Sequence, residues 1–284
     1  MAQDLQLQRY ELKYLVPESV ALRVRDFVRS YLEIDEFGAT LPNFSYPVHS
    51  LYLDSPKLTL YHNTINGDKN RYKLRLRYYE DRPDAPVFFE IKRRMNNIIL
   101  KQRGGVRREM VAPLLAGQFP APTDLISKDP RQYAALQNFC HLMMAQQAAP
   151  KAHIFYMREA WISPYDNSVR VTLDRTVFAD PEPTSRLTVT LDSPKLLFKD
   201  FVILELKFTN RYPDWFRDLV RTFDTMQCGA AKYAEGVLNL GETALNRAFA
   251  FDVPRQTNTL VAHSADAVAQ ASARTQEGAA VLVK

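Results

Sequence analysis

Period-two alternation of charged and apolar side chains constrains this chain more than any other feature. Successive side chains of a strand point to opposite faces, so each such segment has two chemically distinct sides. Residues 9–16 (RYELKYLV) put Arg9, Glu11 and Lys13 on one side and Tyr10, Leu12 and Tyr14 on the other. Residues 71–79 (RYKLRLRYY) set Arg71, Lys73, Arg75 and Arg77 against Tyr72, Leu74, Leu76 and Tyr78. In residues 87–94 Glu90 and Lys92 oppose Phe89 and Ile91; in 98–103 Lys101 and Arg103 oppose Leu100. Residues 154–161 place Arg158 with Tyr156, and residues 168–175 oppose Arg170, Thr172 and Asp174 to Val169, Val171 and Leu173. Residues 201–208 oppose Glu205 and Lys207 to Leu204, Leu206 and Phe208.

Taken singly, each strand could belong to any antiparallel sheet with one solvated side. Solvated strand faces, however, are usually rich in Thr, Ser and Gln, with charges of both signs interspersed. Here the cations on these faces greatly outnumber their carboxylates, Glu11, Glu90, Asp174 and Glu205. Such a concentration repels itself unless an anion sits within it. Closing the strands into a barrel would turn every charged face into one lumen and every apolar face outward against helices. A water-filled basic tunnel of that kind suits a linear phosphate polymer. Its carboxylates would hold Mg²⁺ or Mn²⁺, which prefer oxygen ligands and bridge phosphate oxygens.

About eight to ten strands against a few helices predict an α+β fold that is mainly antiparallel β. Helical spacing predicts helices over 17–34 and 131–147 and another starting near Pro213, where Asp214 favours the positive helix end. Asn66-Gly67, Arg82-Pro83 and Gly104-Gly105 read as turns, the last as a hairpin lacking the surroundings of a phosphate-binding loop. Residues 1–253 read as one domain. From Pro254 onward the chain is Ala, Ser, Thr and Gln without an aromatic residue, which predicts a disordered or loosely attached tail over 254–284.

The net charge of +5 is compatible with an anionic partner without requiring one. Two cysteines, Cys140 and Cys228, lie far apart, which argues against a disulfide framework and for a reducing compartment. No secretory leader and no run of roughly 18 apolar residues is visible. The expectation is a cytoplasmic protein without a membrane segment of its own, which leaves room for a membrane-protein partner. His49, His62, His141, His153 and His263 lack metal-ligand spacing and read as structural or surface residues. Asp54 is either a second metal ligand or, more commonly for a strand-end Asp, a turn former. The run Lys92, Arg93, Arg94 resembles a basic localisation patch, but alternation accounts better for Lys92. Nucleic acid is not expected as a partner, because no aromatic stacking platform is read on the basic faces.

The series R-x-E-x-K-Y (Arg9 to Tyr14), S-L-Y-L-D (Ser50 to Asp54), K-L-R-L-R (Lys73 to Arg77), F-E-I-K (Phe89 to Lys92) and L-K-Q-R (Leu100 to Arg103) is followed by four more motifs. These are Y-M-R-E-A-W (Tyr156 to Trp161), V-R-V-T-L-D (Val169 to Asp174), L-E-L-K (Leu204 to Lys207) and K-Y (Lys232-Tyr233). In order and spacing the set resembles the VTC domain, the polyphosphate polymerase domain of the vacuolar transporter chaperone complex, within the triphosphate tunnel metalloenzyme (CYTH-like) superfamily. The resemblance spans roughly 7–240 and implies a closed eight-stranded antiparallel tunnel that acts on ATP, other triphosphates or polyphosphate with a divalent metal. It implies phosphate-contacting roles for Lys13, Arg75, Arg77, Lys92, Lys101, Arg158, Arg170 and Lys232, and a metal-binding role for Glu205. Lys73, Arg103 and Lys207 join the expected phosphate-binding set, and Glu11 and Glu90 the expected metal set, from their places on the same faces.

The superfamily's hydrolase branch opens with Glu-x-Glu-x-Lys, whereas this chain has Arg9 at the first position, which favours the polymerase branch. Family members often carry Ser before the final Lys-Tyr; here Ala231 stands there, and the missing hydroxyl is expected to weaken chain-end contacts. The reaction implied is attack of a terminal polyphosphate oxygen on the γ-phosphate of ATP, with Arg75, Arg77, Arg158, Arg170 and Lys92 carrying the catalysis. Hydrolysis in the same tunnel, by a tripolyphosphatase or nucleotide triphosphatase, and a non-catalytic polyphosphate-binding module remain open alternatives.

Overall fold

The computed structural model describes residues 9–166 and 168–246. The tail expected at 254–284, with His263, lies outside the described residues. Along the chain run β1 (Arg9–Pro17), α1 (Glu18–Val28), β2 (Glu33–Ile34), β3 (Ser45–Asp54), α2 (Thr59–Ile65), β4 (Asn70–Tyr78), β5 (Val87–Met95) and β6 (Ile98–Val106). There follow α3 (Val111–Leu115), α4 (Pro130–Ala145), β7 (Ala149–Ile162), β8 (Val169–Pro181), β9 (Lys195–Leu196), β10 (Phe201–Thr209), α5 (Asp214–Thr222), α6 (Lys232–Leu240) and α7 (Glu242–Leu245).

Strand neighbours run β7-β3-β4-β5-β6-β1-β10-β8, and β8 pairs back onto β7, which closes an eight-stranded antiparallel barrel. The short strands β2 and β9 are appended to β7 and β8. Alternation places side chains as the sequence implied. Leu74, Leu76, Phe89 and Ile91 are buried on the outside beneath α4, with Leu136, Phe139 and Met143 of that helix. Leu204, Leu206, Val171 and Leu173 are buried beneath α1 and α5, against Val24, Val28, Phe216 and Leu219.

Three local expectations are corrected. The helix expected over 17–34 ends at Val28, because Glu33 and Ile34 instead pair with Ile162 and Trp161 of β7. Gly104 and Gly105 do not form a hairpin; they lie inside β6, opposite Phe89 and Phe88. A Cβ on Gly104 would meet the Gln132 carbonyl oxygen at 2.8 Å and Leu136 Cβ at 3.0 Å, so the glycine lets α4 approach the barrel wall. The β5–β6 hairpin turns at Asn96 instead, with φ of 53°.

The third correction concerns the lumen, which is not wet throughout. Ile154 shares the inward face of Tyr156 and Arg158, and with Ala152, Ala179 and Ile203 it packs against Tyr233, Ala234 and Val237 of α6. Helix α6, unforeseen in the sequence, plugs one end of the barrel. It approaches closely enough that a Cβ on Gly236 would sit 2.9 Å from Ile154 Cδ1.

Candidate phosphate-binding lumen

The charged part of the lumen encloses a cavity of about 500 Å³. Its walls bring together Lys13 and Glu11 from β1, Lys73, Arg75 and Arg77 from β4, Lys92 from β5, Arg158 from β7, and Glu205 and Lys207 from β10; Lys232 opens α6. Register explains the convergence: Lys13 lies opposite Glu205, Glu11 opposite Lys207, Arg75 opposite Glu90, and Arg158 opposite Asp174.

Four buried carboxylates organise the cations. Glu90 receives Arg75 Nη2 at 2.7 Å and Lys101 Nζ at 2.6 Å, with Arg103 at 3.7 Å and Arg77 at 3.9 Å. Glu205 is met by Lys207 at 2.7 Å, Lys13 at 3.1 Å, Lys232 at 3.2 Å and Arg158 at 3.8 Å. Asp174 forms a two-bond fork with Arg158, both at 2.7 Å, and touches Lys232 at 2.6 Å. Glu11 holds Lys92 at 2.9 Å and Lys13 at 3.2 Å. Lys73 has no ion pair among the described residues and still faces the cavity.

The titration behaviour follows from this crowding. Burial alone would raise Glu11, Glu90 and Glu205, yet the surrounding lysines and arginines outweigh it and hold all three well below the usual carboxylate range. Burial depresses Lys207 to about 8 despite Glu205; lost hydration pulls Lys101 down as well, to about 7 despite Glu90, although 43% of its side chain still meets solvent. Lys73 is driven well below an ordinary lysine by burial and by Lys13 and Lys92. Lys13 and Lys232 rise, because their carboxylates overcome the burial penalty. The lumen thus carries more cationic groups than its carboxylates can neutralise.

Four expected residues lie outside the cavity wall: Lys101 and Arg103, half-exposed beside Glu90, then Glu90 itself and Arg170. Arg170 points to the far end, where its Nη2 donates to Asp35 Oδ2 at 2.6 Å and reaches Tyr46 Oη at 3.4 Å; a carboxylate following β2, unseen in the alternation, takes it out of the phosphate cluster. Glu90 is ringed by cations and does not join Glu11 and Glu205, so the expected three-glutamate metal set is not assembled. Among the described residues no group of three or more His, Cys, Asp or Glu side chains forms a metal cluster. Glu11 and Glu205, on adjacent strands and both touching Lys13, nevertheless supply hard oxygen donors. Two carboxylates fit Mg²⁺ or Mn²⁺, which fills its remaining positions from water and phosphate.

Asp54, fully buried, accepts from the N–H groups of Ser55, Leu60 and Tyr61 and from Tyr233 Oη, between 2.7 and 2.9 Å. It is the turn former, and it fixes the residue next to Lys232. Sequence reasoning put Tyr156 on the face of Arg158 without giving it a role, and missed Tyr52. Tyr52 Oη accepts from Arg75, and its ring stacks on Tyr233 at 4.8 Å. Tyr156 Oη accepts from Arg77 at 3.0 Å, and Lys232 Nζ lies 4.7 Å from its ring centre. Strand parity on β3 was the signal available for Tyr52. Ala231 caps α6 without a side-chain hydrogen bond, so the uncapped first turn of that helix faces the cavity with its positive end. His49 and His153 pair at 3.0 Å beside Tyr78 on the outer face, where burial lowers them to about 4 and about 3 and keeps them neutral.

Among solved structures, similarity extends to a Pyrococcus horikoshii OT3 protein at 12% identity, with 82% of this chain and 99% of that chain covered and a TM-score of 0.42. A putative adenylate cyclase of Bacillus halodurans matches at 14% identity, 80% and 94% coverage and a TM-score of 0.44. A putative adenylate cyclase of Vibrio parahaemolyticus matches at 12%, 79% and 95%, with a TM-score of 0.38. Similarity of this degree carries no functional information. No curated protein matches the chain. The model of the VTC domain matches residues 8–240, a span that includes every strand of the barrel and the lumen described above. The chain belongs to the VTC domain family.

Proposed function

We propose that the lumen binds the phosphates of ATP and of a growing inorganic polyphosphate chain and transfers the γ-phosphate from one to the other. The observation that carries this reading is the surplus of inward cations around the cavity, including Lys73 with no carboxylate of its own. Such a surplus suits a ligand whose negative charge repeats along its length, as a phosphate polymer's does.

The transfer needs no side-chain nucleophile. A terminal oxygen of the chain attacks the γ-phosphorus, a new P–O–P link forms, and the bond to the β-phosphate bridging oxygen breaks to release ADP. Arg75, Arg77 and Arg158 are held in the wall by Glu90, Tyr52, Tyr156 and Asp174, so their planar guanidinium groups are oriented before substrate arrives. Lys13, Lys92, Lys207 and Lys232 add point charges, and Lys101 and Arg103 extend the basic surface at Glu90. Held by Glu11 and Glu205, Mg²⁺ or Mn²⁺ would neutralise charge on the departing diphosphate. No described helix is long and apolar enough to cross a membrane. We place the reaction in the cytoplasm, in keeping with two unpaired cysteines.

The test is incubation of the protein with ATP and Mn²⁺ or Mg²⁺, with polyphosphate resolved on a gel and free phosphate assayed. Long chains from the parent, absent with the Arg75→Ala, Glu205→Gln double variant, are the expected result. Orthophosphate without chains would replace the polymerase by a hydrolase, and tight polyphosphate binding without turnover would leave a binding module.

A further inference from the structure

The barrel end remote from α6 carries aromatic rings that phosphate chemistry does not use. Tyr46 opens the inward face of β3 opposite Arg158, and Phe88 opens that of β5 opposite Arg77. Both rings therefore stand level with cations that line the cavity. Tyr79, two residues past Arg77, follows on the same side, and its ring centre lies 6.4 Å from Phe88 and 6.3 Å from Tyr46. Phe37 completes the row, 6.1 Å from Tyr46. Two of these rings are left facing solvent: Phe37 is 66% exposed and Tyr79 36%. The turn carrying Phe37 is fixed, because Asp35 accepts the Phe37 N–H through one carboxylate oxygen and holds Arg170 through the other. Cations and rings interleave here, with the Arg103 guanidinium 3.4 Å from the Phe88 ring centre.

An inorganic phosphate chain has no flat face and gains nothing from such rings. A nucleoside triphosphate carries a flat, aromatic base on the same molecule as its phosphates, and bases stack on aromatic side chains and guanidinium planes. We infer that the exposed rings of Phe37 and Tyr79, backed by the buried Tyr46 and by Phe88 under the Arg103 guanidinium, form a nucleobase platform, so that a nucleoside triphosphate occupies this end of the barrel with its base outermost and its phosphates among Arg77, Arg103 and Arg158. The inference rests on the phosphate-binding lumen proposed above. Every base has a π-face, so the platform separates nucleotides from inorganic tripolyphosphate and discriminates little among bases.

The experiment is calorimetric titration of the full chain with ATP and, separately, with inorganic tripolyphosphate. A Phe37→Ala, Tyr79→Ala double variant should bind ATP about tenfold more weakly, the size expected for one lost stacking partner. Tripolyphosphate binding should stay unchanged, and Phe37→Trp should keep the parent's affinity for ATP. Unchanged ATP affinity in the double variant would overturn the platform and leave the lumen reading intact. Equal losses for both ligands would overturn it too, assigning the rings a purely structural role. Failure of the parent to bind either ligand would remove the lumen reading and the platform with it.

Discussion

Replacing Glu90 with Gln tests the electrostatic account at its most buried point. Glu90 is fully buried, and its Oε2 takes both Nε and Nη2 of Arg75, at 2.9 and 2.7 Å. The side chains of Arg75 and Arg77 are only 13% and 6% exposed, so water cannot take over the carboxylate's role. Breaking a buried pair by removing one partner costs about 3–5 kcal/mol. Lys101 eases the strain: its ammonium, already at about 7, sheds its proton once the neighbouring charge is gone. The low end, about 3 kcal/mol, is therefore expected. For a domain of this size each kcal/mol lowers Tm by about 2–4 °C, giving a drop of about 6–12 °C in scanning calorimetry at neutral pH and low salt. Saturating tripolyphosphate should narrow the gap between variant and parent, because bound phosphate restores negative charge beside Arg75 and Arg77. A variant that melts with the parent, or a gap that tripolyphosphate leaves untouched, would refute the reasoning.

Four further outcomes can be measured directly. With Lys101 at about 7 and Lys207 at about 8, both lose charge as pH rises, so from about pH 6 to 9 the parent's tripolyphosphate affinity should fall relative to that of a Lys101→Met, Lys207→Met variant, a comparison in which the ligand's own ionisation cancels; parallel calorimetric profiles would contradict this. The unliganded fold should respond oppositely to these two groups. Their folded values lie below the ordinary 10.5, the unfolded chain binds more protons in that window, and their contribution to stability rises with pH. Gly104→Ala should cost about 1–3 kcal/mol in urea unfolding, since its Cβ would press on the Gln132 backbone; an unchanged midpoint would show that α4 can shift freely. Asp54→Ala strands the Leu60 and Tyr61 N–H groups and the Tyr233 hydroxyl. It should destabilise by about 2–3 kcal/mol and also weaken tripolyphosphate binding through displacement of Lys232; unaltered binding would separate the two residues.

The inward faces were legible because alternation is a local property of a strand, and every charged segment reads the same way whatever its neighbours do. Closure was legible only as a remedy for repulsion; the pairing that achieves it joins β7 to β8 across an irregularity between Phe155 and Met157. Helix α6 escaped notice because Gly236, a helix breaker in isolation, sits there for its small size against Ile154 and Ala179. Gly104-Gly105 misled for the same reason: glycine marks close approach as readily as it marks a turn. Arg170 looked like the other inward arginines, but its partner, Asp35, comes from a segment without alternation, 135 residues away. The division of the carboxylates, with Glu90 kept from Glu11 and Glu205, depends on which strands adjoin around the barrel.

If the lumen binds phosphate as proposed, the arrangement in which each of its carboxylates already holds at least two cations would make this barrel behave as an ion exchanger. On the reading proposed above, a phosphate arriving in the cavity would find Lys73 unpaired but would otherwise compete with Glu11, Glu90, Asp174 and Glu205 for groups they already hold. Displacing one carboxylate gains little, since one contact replaces another. An anion that spans the lumen competes with all of them at once and recruits Lys73 besides. As on a resin, retention should then climb steeply with the valence of the anion, so that orthophosphate washes through while a polymer stays. Selectivity for length thereby arises without any residue that measures length.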